Sequence, residues 1–81
     1  MQTYKSSTFL KLSGPAHSIF GLAILNCEET MALQPGSIIY VTKSRLPDHW
    51  LVQARGKYSI HVVKMTLESH ITQGFLEDVT T

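Results

Sequence analysis

Cysteine is almost missing from this chain: Cys27 stands alone among 81 residues. A single thiol excludes an intrachain disulfide framework and points to a reducing compartment, the cytoplasm. Its apolar sequence neighbours make it a small buried hydrophobe, and burial of that kind raises a thiol pKa and withdraws the thiolate that a Cys–His nucleophile needs. Charge is scarce as well. Only 16% of residues are charged, against about 25% in an average domain, while 43% are apolar, which excludes disorder. A chain so poor in charge hides part of its apolar surface against a partner or a second copy. No run approaches the ~20 apolar residues of a membrane span. The apolar run 19–25 ends near Cys27 like a lipoprotein leader, but Asn26 is wrong for the small residue expected there, and the leader reading is rejected.

Chemical signatures are equally sparse. His17, His49, His61 and His70 form no HxH or HxxxH pair, and metal sites need converging ligands. Only a last helix folding over the last strand would bring His61 toward His70, with Cys27 as a third ligand of a small metal-binding regulator. Gly14 and Gly21 make no phosphate loop. Glu28-Glu29 and Glu77-Asp78 are adjacent, solvated pairs rather than a catalytic dyad. These absences argue against an enzyme and imply no cofactor.

What is present is turn grammar. Pro35-Gly36 opens a strand over 37–43, Leu46-Pro47-Asp48 turns it, and strands at 49–54 and 58–64 flank the turn at Arg55-Gly56-Lys57. Three short consecutive antiparallel strands in one small domain imply a compact β-barrel or rolled sheet. Upstream, residues 1–7 are polar and expected to be flexible. Residues 8–13 alternate as a first strand, Gly14-Pro15 breaks the chain, and 19–27 reads as a strand pairing with 8–13, although a helix is open there. Residues 28–33 are expected to form a short helical turn, with Glu28 and Glu29 at its positive end. The three later strands carry apolar residues on both faces. Thr66 is expected to cap a helix over 67–73, with Leu67, His70 and Ile71 inward and Gly74 ending it. Phe75 and Leu76 close the open end before an acidic tail over 76–81.

Charge is segregated along this plan. Between Ser37 and Lys64, five cations (Lys43, Arg45, Arg55, Lys57, Lys64) face Asp48 alone, while Glu68, Glu77 and Asp78 make the C-terminal part acidic. Tyr40, Trp50 and Tyr58 lie on the same three strands. Small barrels bind single-stranded nucleic acid through stacked aromatics flanked by cations. The alternation, however, sets Trp50 with Val52 and Tyr58 with Ile60 on inward faces, which makes these rings core.

The segment Ala32-Leu33-Gln34-Pro35-Gly36-Ser37-Ile38-Ile39-Tyr40-Val41, continued by Leu51-Val52-Gln53-Ala54-Arg55-Gly56-Lys57-Tyr58-Ser59-Ile60 and by 67–71, resembles the ferrous-iron transport accessory protein A family. The resemblance covers roughly 28–71 and rests mainly on turn residues. It implies an SH3-like barrel acting as a non-catalytic docking module. The chain departs from the family at Thr30-Met31-Ala32-Leu33-Gln34, where members carry a leucine-glycine step after a well-marked helix. The Pro-Gly element also resembles AbrB-like swapped-hairpin DNA-binding domains and the barrels of flagellar and type III secretion switch proteins.

The sequence therefore reads as one mainly β domain, an SH3-like small barrel of about five strands with one or two short helices. Its expected role is a non-enzymatic adaptor or regulator that docks on a larger protein or forms a homodimer. The alternative is a nucleic-acid-binding barrel. Either role would use Lys43, Arg45, Trp50, Arg55, Lys57 and Tyr58.

Overall fold

The computed structural model describes residues 1–18, 22–56 and 58–81. Seven strands and one helix follow in the order β1 (Gln2–Ser6), β2 (Leu10–His17), β3 (Ala23–Leu33), β4 (Ile38–Lys43), β5 (His49–Ala54), β6 (Ser59–Val63), α1 (Lys64–Thr72) and β7 (Leu76–Asp78). The strands form one antiparallel sheet in the order β3-β2-β6-β5-β4-β1-β7. The long β3 and the three-residue β7 are its edges.

Period-2 alternation builds the core, because successive side chains of a strand point to opposite faces. Tyr4, Leu12, Met31, Leu33, Ile39, Val41, Val52, Ala54, Ile60, Val62, Leu67 and Leu76 form a single buried cluster. Val41 pairs with Val52 and Val52 with Ile60, so one β-branched row crosses the three central strands. Burial of β4 and β5 is one-sided: Ile38, Tyr40 and Leu51, on the opposite face, are only half-buried.

The strands 49–54 and 58–64 occur nearly as expected, and three other elements differ. Residues 2–6, expected to be flexible, form β1 between β4 and β7. Two inward positions, Tyr4 and Ser6, sufficed, because backbone pairing does the rest. Residues 28–33, expected to be helical, continue β3. Met31 and Leu33 fall on one face only in an extended chain, and pairing with Leu12 and Leu10 overrides helix propensity. Gly14-Pro15 does not break the chain but lies inside β2, with a register shift after Pro15. Of the expected strand over 19–27, residues 23–27 belong to β3 and pair with β2, whereas 19–21 lie outside the described residues.

The helix starts two residues before Thr66, at Lys64, and no side chain caps it. Instead the Lys64 N–H donates to the Asp48 carbonyl at 2.8 Å, tying α1 to the β4–β5 turn. Its C-terminus behaves as expected. Gly74 takes φ +83°, its N–H donates to Ile71, and Phe75 donates to His70, the hydrogen-bond pair of a Schellman motif. Leu67 enters the core with Ile71 packed beside it, and Leu76 follows on β7.

Candidate functional site

Two surfaces carry features that packing alone does not require. The first is a polar chain on the outer face of β2, β6 and β5. Ile60 and Val62 point into the core, so alternation turns His61 outward. It is nevertheless only 1% exposed, because β2 and the β4–β5 turn cover it. Gly14 permits that cover. A Cβ on Gly14 would lie 1.8 Å from the His61 carbonyl oxygen, so only glycine lets β2 cross β6 here.

His61 uses both ring nitrogens. Nδ1 lies 2.7 Å from Ser44 Oγ, which also accepts the Leu46 N–H at 3.0 Å. Nε2 lies 3.3 Å from His17 Nδ1 on β2, with the ring centroids 5.3 Å apart. Burial first, then the neighbouring His17 and His49, push the His61 pKa below its ordinary 6.5. His49 is held separately, donating from Nδ1 to the Pro47 carbonyl at 2.7 Å. The His17–His61 contact needs one N–H and one lone pair, so the chain can hold and pass a proton. Ser44 is poorly placed as a nucleophile, because the Leu46 N–H that could serve an oxyanion is engaged by the hydroxyl itself.

The second surface is the free edge of β3. Residues 24–30 are all exposed, seven in succession, and the hairpin end carries Leu22, Ile24 and Leu25, the last 70% exposed. Cys27 lies on this edge and is exposed. That corrects the expectation of a buried thiol: the strand that carries Cys27 projects beyond the core rather than into it. The Tyr58 hydroxyl donates to the Thr30 carbonyl at 2.7 Å and ties β3 to the segment before β6. Two clefts adjoin the inner end of β3. One, of about 170 Å³, is bounded by Ala32, Leu33, Ile38, Ala54 and Arg55. The other, of about 310 Å³, is bounded by Phe9, Leu10, Lys11, Ala32 and Leu33.

The residues singled out from sequence do not assemble into one patch. Lys43 and Arg45 are exposed at one end of the β4–β5 hairpin, and Arg55 is exposed past its other end, separated by roughly 15–20 Å of strand. Trp50 packs against the core with the Lys64 ammonium 4.7 Å from its ring centroid. Tyr58 is 46% exposed rather than inward. Lys57 lies outside the described residues. Cys27 is exposed on β3 while His61 is buried on β6, and among the described residues no group of three or more His, Cys, Asp or Glu side chains could hold a metal. No described helix is long and apolar enough to cross a membrane. The histidine chain escaped sequence reading because His17 and His61 are 44 residues apart and only the β2–β6 crossing brings them together.

The geometry defines the class: a small, mainly β domain with a projecting edge strand and a buried histidine, His61, in contact with half-buried His17. No family model matches the chain, and no curated protein or solved structure is significantly similar to it.

Proposed function

We propose that this chain is a non-enzymatic docking module that takes an extended segment of a partner protein onto the free edge of β3. The carrying observation is the edge itself: eleven residues long, terminal in the sheet, exposed at seven successive positions and flanked by uncovered apolar side chains. A free edge is a template for strand addition, in which main-chain bonds supply affinity and side-chain recesses supply specificity. The two clefts beside Ala32 and Leu33 are such recesses. Their position, where β3 faces the start of β4 and the end of β5, also supports a rolled, SH3-like small barrel. The resemblance to the iron-transport accessory family points the same way, toward docking.

Charge favours a foreign segment over a second copy. Antiparallel self-pairing centred on β3 would set Glu28 of one chain opposite Glu28 of the other, and like charges directly opposite destabilise a pair. The partner segment is therefore apolar where it meets the clefts and basic where it passes Glu28 and Glu29. The test is a titration with a synthetic peptide of alternating valine and lysine, read by amide NMR shifts. Saturable shifts confined to β2, β3 and the residues that bound the two clefts, absent with a valine–glutamate peptide, support the reading. Equal responses to both peptides, or shifts elsewhere, overturn it. Concentration-dependent sedimentation to a dimer would replace the foreign segment by a second copy.

The nucleic-acid alternative has less support, since the basic side chains are divided between two ends of a hairpin and Trp50 already stacks with Lys64. Quenching of Trp50 fluorescence by oligonucleotides, lost as salt is raised, would restore it.

A further inference from the structure

We propose that His17 and His61 form a proton-sensitive latch that holds the β2–β3 hairpin on β6 and releases it when both imidazoles are charged. The inference stands on the outer-face geometry and does not depend on what β3 binds.

β2 and β6 share a single register pair, Ala16↔Ile60, and the latch residues are the next along each strand. Beyond this point His17 pairs with Ala23, and the Ser18 N–H donates to the Leu22 carbonyl at 2.7 Å. A change at His17 therefore acts directly on the segment carrying Leu22, Ile24 and Leu25. Proton counting gives the switch its threshold. With the pair neutral, one ring donates and the other accepts across 3.3 Å. With one added proton the bond survives: His17 donates from Nδ1 to Nε2 of His61, and His61 donates from Nδ1 to Ser44. With two, both facing nitrogens carry hydrogens, the acceptor is gone, and two cations stand with ring centroids 5.3 Å apart.

The surroundings do not relieve that repulsion. His17 from β2 and His49 from β5 are the charged groups acting on His61, and both oppose its protonation. The β4–β5 turn, which supplies Ser44, carries Arg45 next to Lys43 at the end of β4, against the single carboxylate of Asp48. Tyr58, just before β6, is engaged with the Thr30 carbonyl. Burial adds to the effect, because His61 cannot take up water around a new charge without parting from β2.

The test is amide hydrogen exchange on the whole chain from about pH 7.5 to about pH 5, corrected for intrinsic rates, with imidazole ¹⁵N signals followed in parallel. The expected result is a loss of protection in β2 and β3 beyond that of the other strands, with an opening constant rising by up to about tenfold per pH unit for each linked proton. Protection in β4 and β5 should fall only as far as global stability does over the same range. In His17→Gln, which keeps a polar group at a half-buried position, the local pH slope should shrink to that of the single proton taken up by buried His61. A fall shared equally by all strands overturns the latch, as does a slope left undiminished in His17→Gln. Should that variant fail to fold, the wild-type titration decides. Coupled two-step imidazole curves that track hairpin opening support the latch, and independent curves with unmoved hairpin amides refute it.

Discussion

Replacing Gly14 by alanine sets two physical expectations against each other, and they differ in sign. By intrinsic preference alone, glycine in a strand interior costs roughly 0.5–1 kcal/mol relative to alanine, so the substitution should stabilise. The structure says otherwise. The new Cβ would stand 1.8 Å from the His61 carbonyl oxygen and 2.8 Å from its carbon, where ordinary contact begins near 3.4 Å. Both atoms it meets are backbone, so no rotamer change relieves the overlap, and β2 must separate from β6 by about 1.5 Å. Overpacking of this kind costs about 1–3 kcal/mol, and occasionally more. The top of that range applies where backbone meets backbone, which leaves a net loss of roughly 2–3 kcal/mol after the entropic gain. A domain of this size has about 4–12 kcal/mol in all, and at about 4–8 °C per kcal/mol the melting temperature should drop by roughly 10–20 °C. Urea titration and thermal circular dichroism of both proteins give the answer. A variant as stable as the parent, or more so, would refute the claim that β2 crosses β6 at this distance.

Three further outcomes follow from the core and its titrating groups. Leu67→Ala empties a fully buried helix–sheet contact and should cost about 2–5 kcal/mol by urea denaturation; a loss below about 1 kcal/mol would place α1 off the core. Stability should fall on both sides of neutrality. The His61 pKa lies below 6.5 in the folded chain, so the unfolded state binds more protons and stability declines as pH drops beneath 6.5; burial, then Asp78, raises Tyr4 above 10.0, so stability is also lost as pH rises beyond 10. A flat acid limb in chemical denaturation would contradict the buried His61. Equimolar Zn²⁺ should leave the melting temperature unchanged, since the His17–His61 pair has no third ligand among the described residues; a rise of several degrees would make the pair a metal site.

The legible parts of the fold were those written in local chemistry. The strand at 49–54 and its neighbour at 58–64 followed from alternation between turn residues, and the helix end at Gly74 followed from the need for a positive φ. Misreadings arose where tertiary pairing outweighs local preference. Glu28-Glu29 suggested a helix N-terminus, yet Met31 and Leu33 are buried only when that segment is extended against β2. The polar N-terminus suggested fraying, yet it fills the edge of β4. For the site, the basic and aromatic residues were visible but their separation was not, since hairpin geometry sends Lys43 and Arg55 to opposite ends.

By itself the sequence determined a mainly β chain, the places of its later turns and a core of alternating aliphatics, because period and turn chemistry act over a few residues. Only the tertiary structure decided that residues 23–33 form an exposed sheet edge and that His17 meets His61 over Gly14. Which strands lie side by side depends on contacts between residues distant in the chain, and no local pattern encodes them.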